Sequence, residues 1–144
     1  MNIAFFLTPK SEVVYEYIDS TMRQVIERME HYGYSAIPLI DKAGKYVGTL
    51  TEGDLLWKIK NTPELNFKNT HTVSVRDIKR RVNHRCVYID ADIESIINLA
   101  VSQNFVPVVD DNGIFIGIIK RSDIINYCYK NLYKKENDLV SSIN

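Results

Sequence analysis

The sequence has little of what marks several common classes of protein. Only two cysteines occur in its 144 residues, which excludes a disulfide-rich scaffold and favours reduced thiols. Neither sign of charge is in excess, because 18 lysines and arginines balance 18 aspartates and glutamates, so no general attraction to nucleic acid or to an anionic membrane is expected. The apolar runs at residues 3–7 and 114–119 are too short to cross a membrane, and the first lacks a basic leader. We therefore expect a soluble cytoplasmic protein.

Residue clusters typical of catalysis or of metal binding are also lacking. His31, His71 and His84 show no i, i+4 spacing to one another or to a cysteine. No Ser-His-Asp or Cys-His arrangement stands out, and isolated carboxylates such as Glu52 and Asp77 do not form an acid/base pair. We expect no enzymatic activity, no metal and no required cofactor.

The strongest positive feature is an internal duplication. The tripeptide Tyr-Ile-Asp at residues 17–19 recurs at residues 88–90, an offset of 71, and Pro-Leu-Ile-Asp at 38–41 recurs as Pro-Val-Val-Asp at 107–110, an offset of 69. Three further identities follow at the offset of 69, namely Gly44 with Gly113, Gly48 with Gly117, and Asp54 with Asp123. This register over some forty residues predicts two copies of one structural unit.

Each copy predicts the same β-α-β-β-α order. Short strands at residues 13–15 and 86–88 precede helices capped by Ser20 or Thr21 in the first copy and by Asp92 in the second. A strand, an Asp/Asn/Gly turn and a returning strand follow in each copy. The closing helices are expected to face inward through Leu55, Leu56 and Ile59, and through Ile124, Ile125 and Cys128. A unit of about fifty residues buries too little surface to stand alone, so we expect an α+β (α/β) fold with the two units packed as a pseudo-twofold pair.

The domain boundaries follow from the repeat. The first unit with its lead-in covers residues 1–60, an inter-repeat connection covers 61–74, the second unit covers 75–133, and a polar tail that frays covers 134–144. The first helix of the second unit carries Leu99 and Val101 outside its main apolar stripe, which favours a homodimer.

These residues resemble the tandem CBS domain pair (cystathionine β-synthase-type), also called a Bateman module. The resemblance is carried by residues 34–41, 44 and 48–56 in the first copy, by 106–110, 113 and 117–125 in the second, and by the lead-in at 75–78. It covers nearly the whole chain, which holds no appended catalytic or transport domain, so a stand-alone module is expected. The resemblance implies an adenosine-containing ligand in the clefts between the repeats: AMP, ADP, ATP, S-adenosylmethionine or cyclic di-AMP.

The resemblance also assigns candidate ribose and phosphate ligands. Thr51 and Asp54 match the family motif that begins at Gly48, in which the carboxylate accepts from ribose hydroxyls and the threonine hydroxyl donates to phosphate. The same Thr-x-x-Asp spacing is also that of a helix capping box, and the two roles are compatible. The second copy keeps Asp123 but has Lys120 in place of the hydroxyl residue. Either Lys120 and Arg121 supply phosphate-binding charge, or this half-site is degenerate.

Adenine contacts carry over, by the resemblance, to Ile18, Ala36, Ile37, Ile89 and Val106, although residue type alone makes all five core candidates. The run 79–85, Lys-Arg-Arg-Val-Asn-His-Arg, is the one basic cluster. It could reach phosphate at the cleft mouth, bind an acidic protein or RNA, or be a solvated surface run.

Ligand sensing is the function that these features favour. An adenine nucleotide would bind between the repeats and alter the dimer or the affinity for a regulated protein, whose identity the sequence does not give. The alternative is a ligand-free dimerisation scaffold. A nucleic-acid binder that uses residues 79–85 is the third hypothesis.

Overall fold

Within residues 2–143, which a computed structural model describes, seven strands and four α-helices follow the predicted β-α-β-β-α order twice. The first unit contains β2 (Glu16–Tyr17), α1 (Met22–Tyr32), β3 (Ala36–Ile40), β4 (Tyr46–Thr51) and α2 (Glu52–Asn61). The second contains β5 (Val87–Tyr88), α3 (Ile93–Ala100), β6 (Phe105–Val109), β7 (Phe115–Lys120) and α4 (Arg121–Ile143). A further strand, β1 (Leu7–Pro9), precedes both.

The helix starts are set by side-chain caps. Thr21, rather than Ser20, caps α1: its hydroxyl accepts from the N–H of Gln24, and the Gln24 side chain accepts from the Thr21 N–H. Asp92 caps α3, as predicted, by accepting from the N–H of Ser95 at 2.8 Å. This hydrogen bond to the carboxylate lowers the pKa of Asp92.

The two sheets have matching topology. β2 is parallel to β3, and β3 is antiparallel to β4; β5, β6 and β7 repeat this arrangement. The registers also match, since Pro38 pairs with Thr49 and Pro107 with Ile118. The strand predicted at residues 13–15 is wrong: pairing with β3 reaches only Glu16 and Tyr17, the counterparts of β5 at the offset of 71.

The units meet at their hairpins as a pseudo-twofold pair. Gly44 O accepts from the N–H of Phe115 at 2.9 Å, and Gly113 O accepts from the N–H of Tyr46 at 3.4 Å. These two hydrogen bonds are equivalent in the two units, because at the offset of 69 Gly44 corresponds to Gly113 and Tyr46 to Phe115. The pseudo-twofold packing that the repeat predicts is therefore present.

The two units also exchange their lead-in segments. Ile3 lies in the core of the second unit, and β1 extends the second sheet by pairing antiparallel with β7. Val75 and Ile78, the lead-in of the second unit, lie in the core of the first. The predicted boundary at residue 60 assigns the first lead-in to the first unit. In the structure the residues before position 10 pack on the second unit instead.

Three details of the helices differ from the sequence-based expectations. Leu56 and Ile125, expected to face inward, are 55% and 57% exposed, because Leu55 and Ile124 take the core positions beside them. Leu99 packs partly against the second core, while Val101 is exposed as expected. The stretch from Lys134, expected to fray, continues α4 as far as Ile143.

Candidate functional site

The candidate ribose and phosphate residues lie at the junction of β4 and α2. Thr51 caps α2: its Oγ1 accepts from the N–H of Asp54 at 3.2 Å, and Asp54 Oδ2 accepts from the N–H of Thr51 at 3.0 Å. The capping box is thus formed. The Thr51 hydroxyl acts here as an acceptor, so its own hydrogen remains available to a phosphate oxygen.

Asp54 is buried, with 3% of its surface exposed, and its second oxygen is also engaged. Oδ1 accepts from the backbone N–H of Arg81 at 3.0 Å. A carboxylate at this depth needs hydrogen-bond donors, and two backbone N–H groups supply them. The second donor comes from the segment that leads into the other unit, so Asp54 joins α2 to that segment.

Residues 79–85, which we call the basic linker, lie across this junction. The Arg81 guanidinium lies over the Trp57 ring, 4.9 Å from its centroid. The Arg80 side chain packs against Gly48, where an added Cβ would lie 2.7 Å from Arg80 Nε. The basic run is therefore anchored on the first unit through Arg80 and Arg81, although five of its seven residues are exposed, in line with a solvated surface run.

A buried glutamine holds the other end of the basic linker. Gln103 Oε1 accepts from the N–H of Arg85 at 2.8 Å, and its Nε2 donates to the Arg85 carbonyl at 3.0 Å. Nε2 also donates to Phe105 O at 3.3 Å. Gln103 is 4% exposed and ties the linker to the loop between α3 and β6.

The basic linker separates three adjoining clefts, which have volumes of about 290, 400 and 230 Å³. The first contains Asp54, Trp57 and Arg81, and the second contains Gly48 and Arg80. The third contains Thr51, Ala36, Ser102 and Asn104, and therefore lies between the units. His84 lines both the second and the third clefts. The second cleft is near the lower end of the size range of small-molecule sites, and the first and third are smaller than that range.

Lysine and arginine side chains line the first two of these clefts, and the first also contains Asp54 and Asp77. Lys58, Lys79 and Arg81 line the first, and Lys79, Arg80 and Arg76 line the second. Arg76 is paired: its NH2 nitrogen lies 2.8 Å from Asp19 Oδ1. This pairing lowers the pKa of Asp19 and raises the pKa of Arg76. The local charge at the second cleft is therefore positive, although the net charge of the chain is zero.

The corresponding place in the second unit is built differently. Arg121 directs its Nε to the carbonyls of Ala100 and Gln103, at 2.8 and 3.1 Å, and so closes the end of α3. Lys120 is exposed and Asp123 is half-buried. The two lead-ins align at an offset of 72, which matches Ile3 with Val75 in the equivalent cores. At this offset Pro9 corresponds to Arg81, and proline has no N–H with which to hold Asp123.

The candidate adenine residues are mostly part of the cores. Ile18, Ile37 and Val106 are buried, and Ile89 packs partly against the second core. Ala36 alone among the five lines the cleft between the units. Any contact of Ile37 or Val106 with a base would therefore use their backbone.

Sequence reasoning did not identify Gln103 or Trp57 as parts of this arrangement. At the offset of 69 the counterpart of Gln103 in the first copy is Tyr34, which has no amide. This difference between the copies is the one feature of the sequence that could have indicated a role for Gln103. Within residues 2–143 there is no group of three or more His, Cys, Asp or Glu side chains placed to hold a metal ion. None of the helices in that range combines the length and hydrophobicity needed to cross a bilayer.

Three known proteins are similar to this chain in sequence, and two of them illustrate the likeness. The chain is 28% identical over 109 residues to an uncharacterised protein of Methanopyrus kandleri, which covers 73% of this chain and 52% of that protein. It is 29% identical over 109 residues to the inosine-5'-monophosphate dehydrogenase of Methanocaldococcus jannaschii, which covers 74% of this chain and 20% of the dehydrogenase. The chain thus spans about half the length of the first relative and about a fifth of the second.

Two solved structures with bound nucleotides share the fold. The CbpB protein of Listeria monocytogenes in complex with c-di-AMP has a TM-score of 0.79 and 20% identity, over 92% of this chain and 98% of that one. CBSX2 in complex with AMP has a TM-score of 0.71 and 21% identity, over 90% of this chain and 96% of that one. At these identities the likeness is one of fold.

The family model of the CBS domain matches twice, at residues 6–61 and 75–130. The two matches coincide with the two units related by the internal repeat, and together they span most of the chain. This chain therefore belongs to the CBS domain family, of which it carries two copies arranged as a pair.

Proposed function

We propose that this chain is a regulatory module that binds an adenine nucleotide in the groove formed by the clefts beside Thr51 and Asp54. The proposal is supported by the CBS pair fold, which is shared with proteins solved in complex with c-di-AMP and with AMP. AMP, ADP, ATP, S-adenosylmethionine and cyclic di-AMP are the candidate ligands. The module signals by changing its dimer or its contact with another protein, and performs no catalysis of its own.

The chemistry of the groove suits a nucleotide. Asp54 provides two carboxylate oxygens that accept from ribose hydroxyls, and Thr51 provides a hydroxyl that donates to phosphate. Lys79 and Arg80 line the adjoining cleft and supply positive charge where phosphate oxygens would extend. Ala36 offers a small apolar contact in the cleft between the units.

Binding and signalling are coupled through the basic linker. Asp54 is 3% exposed and its Oδ1 accepts from the Arg81 N–H, so ribose hydroxyls reach this carboxylate when the linker moves away from α2. The linker is fixed at its other end to Gln103, in the second unit. Its release therefore changes the connection between the two units, and a ligand shifts an equilibrium between two linker positions.

The two copies are expected to bind unequally. The first copy has the capping threonine, the buried carboxylate and the linker cations together. In the second copy the Arg121 Nε is occupied by the carbonyls of α3 and its loop, which leaves Lys120 and Asp123 as its ligand candidates. We expect one tight site at Thr51 and Asp54 and, at most, a weaker second one.

The contact that supports this proposal most directly is the hydrogen bond between Asp54 and Arg81. Calorimetry with nucleotides tests the proposal. Titration with AMP, ATP, S-adenosylmethionine and cyclic di-AMP is expected to give binding with at least one of them. Asp54→Ala combined with Asp123→Ala should abolish that binding, while Asp111→Ala in an exposed turn should preserve it. The proposal is wrong if no candidate binds the wild type, or if the double variant binds as well as the wild type.

A ligand-free scaffold is the second candidate, favoured by the exposed apolar side chains of α4, among them Tyr129 and Leu132. A ligand that binds only the folded state raises its melting temperature, so a thermal-shift screen separates the two functions. Stabilisation by a nucleotide supports sensing. A flat screen together with a stable oligomer supports the scaffold.

A further inference from the structure

One histidine of the basic linker lies between two clefts of the proposed site. His84 lines the second cleft together with Gly48 and Arg80. It also lines the third cleft, together with Thr51 and Ala36. Its side chain is half-buried, so part of the ring faces the clefts and part packs on the protein. A nucleotide that occupies both clefts must therefore lie beside this ring.

The His84 ring has one nitrogen that a ligand can use. Nδ1 lies 3.4 Å from the carbonyl oxygen of Val82, which can only accept, so in this contact Nδ1 carries the hydrogen. Nε2 has no hydrogen-bond partner within residues 2–143, and no unpaired polar side-chain atom in that range is buried, so Nε2 is open to solvent or to a ligand. A neutral ring accepts at Nε2 from a ribose hydroxyl, and a protonated ring donates there to a phosphate oxygen. Both forms suit a nucleotide.

The backbone on both sides of His84 is fixed. Its N–H donates to Val82 O at 3.1 Å, which closes a three-residue turn. The next residue, Arg85, is held by Gln103, which binds the N–H of Arg85 at 2.8 Å and its carbonyl at 3.0 Å. Gln103 therefore fixes the place on the linker from which the His84 ring reaches the clefts.

The loop that carries Gln103 is itself held in place. The N–H of Arg121 donates to Asn104 O at 3.0 Å. The Nε of Arg121 donates to the carbonyls of Ala100 and Gln103, at 2.8 and 3.1 Å. A side chain whose support is fixed by hydrogen bonds in this way loses less conformational entropy when it contacts a ligand than one on a free loop.

The second half-site lacks this pair of residues. At the lead-in offset of 72, Glu12 corresponds to His84, and at the offset of 69, Tyr34 corresponds to Gln103. A carboxylate in place of the ring would repel phosphate, and a tyrosine has no amide with which to bind both backbone groups of a linker residue. The arrangement is therefore particular to the half-site that contains Thr51.

We propose that His84 contacts the bound nucleotide where it extends from the second cleft to the third, and that Gln103 positions His84 for this contact. The proposal rests on the proposed function, because His84 has this role only when a nucleotide occupies both clefts. In this role His84 acts through the hydrogen-bonding nitrogen of its ring, and not as one charge of the basic run.

The chain has only three histidines, which allows a direct test. His31 and His71 are exposed and line none of the three clefts. The full chain is titrated with the candidate nucleotide that binds most tightly in calorimetry, and the ring protons of the histidines are followed by NMR. The His84 signals should shift with the calorimetric midpoint, while those of His31 and His71 should move little. Unchanged His84 signals at saturation would overturn the proposal.

Substitution of His84 gives the second test. His84→Ala should weaken binding of the same nucleotide about three- to tenfold, as expected for the loss of one hydrogen bond. His84→Gln should retain more of the affinity, because an amide still donates and accepts. His71→Ala is the matched control and should bind as the wild type does. Denaturant unfolding of each variant separates a loss of affinity from a loss of fold, and an His84→Ala variant that binds as tightly as the wild type overturns the proposal.

A double-variant comparison tests the positioning role of Gln103. Gln103→Leu should weaken binding by a similar factor, and adding it to His84→Ala should cause little further loss, because Gln103 acts through His84. Fully additive losses would overturn the positioning role. A wild type that binds none of the candidate nucleotides removes the proposed function together with this contact. A wild type that binds, with His84→Ala unaffected, leaves the proposed function standing and removes only the role of His84.

Discussion

Arg81 and Asp54 connect the two halves of the CBS pair: the backbone N–H of Arg81 donates to Oδ1 of Asp54 at 3.0 Å. Asp54 belongs to the first unit, and Arg81 belongs to the segment that leads into the second. Asp54 is 3% exposed, its other oxygen accepts from Thr51, and the linker backbone at Arg81 lies within hydrogen-bond distance of it. We therefore expect a ligand that reaches the carboxylate to move the basic linker.

Trp57 should report this displacement. It is the only tryptophan in the sequence, and the Arg81 guanidinium lies 4.9 Å from its ring centroid. A nucleotide that releases the linker removes this cation from the ring, so the emission of Trp57 is expected to change with the same midpoint as calorimetric binding. In Arg81→Gln the change should be smaller, since the cation is already absent. Calorimetric binding without any change in wild-type emission would contradict linker release.

The two threonine caps form a matched pair for separating stability from binding. Thr21 and Thr51 each accept from an N–H three residues later at 3.2 Å, and each belongs to a complete capping box. Thr21→Ala and Thr51→Ala should each cost about 1 kcal/mol of unfolding free energy, measured by denaturant unfolding. Only Thr51→Ala should also weaken nucleotide binding. Equal loss of binding in both variants would show that Thr51 acts through stability and not by contact.

Gly48 and Gly117 test the exchange of lead-in segments. They are equivalent in the two units and share the same backbone, with φ of 157° and 158°. A Cβ at Gly117 would collide with the backbone carbonyl of Thr8 in β1, whereas a Cβ at Gly48 would meet the flexible side chain of Arg80. Gly117→Ala should therefore destabilise the protein by about 1–3 kcal/mol in denaturant unfolding, and Gly48→Ala by less. The reverse order would show that β1 does not hold the second sheet as described.

Much of this fold could be predicted from the sequence because the same pattern of residues occurs in both copies. Identities such as Gly44 with Gly113 fix the register, and apolar periodicity then places equivalent strands and helices. The exchange of the lead-ins could not be predicted. Ile3 and Val75 are apolar residues of short lead-in segments, and nothing local determines which of two similar cores each one enters.

The side chains of the candidate site could be predicted from the sequence, but the contact between Asp54 and the basic linker could not. Thr51 and Asp54 follow from their spacing, and the capping box that they form was the alternative weighed from the same residues. The partner of Asp54 is the backbone N–H of Arg81. Because a backbone N–H does not depend on the side chain, the sequence does not show which residue provides it. The ligand-binding role of these side chains stays a prediction until binding is measured.

Tyr46 should make the stability of the protein fall at high pH. It lies at the contact between the hairpins, and burial raises its pKa to about 12, although a 2.7 Å hydrogen bond with Thr49 partly opposes the shift. In the unfolded chain the pKa of tyrosine is about 10. Because the folded state holds this proton more tightly, the stabilisation is complete below about pH 10 and is lost as the pH rises towards 12, by an amount on the order of 2 kcal/mol. Denaturant unfolding at several pH values should show that Tyr46→Phe reduces this slope, whereas Tyr32→Phe, an exposed tyrosine, should not. An unchanged slope in Tyr46→Phe would assign the loss of stability to other groups.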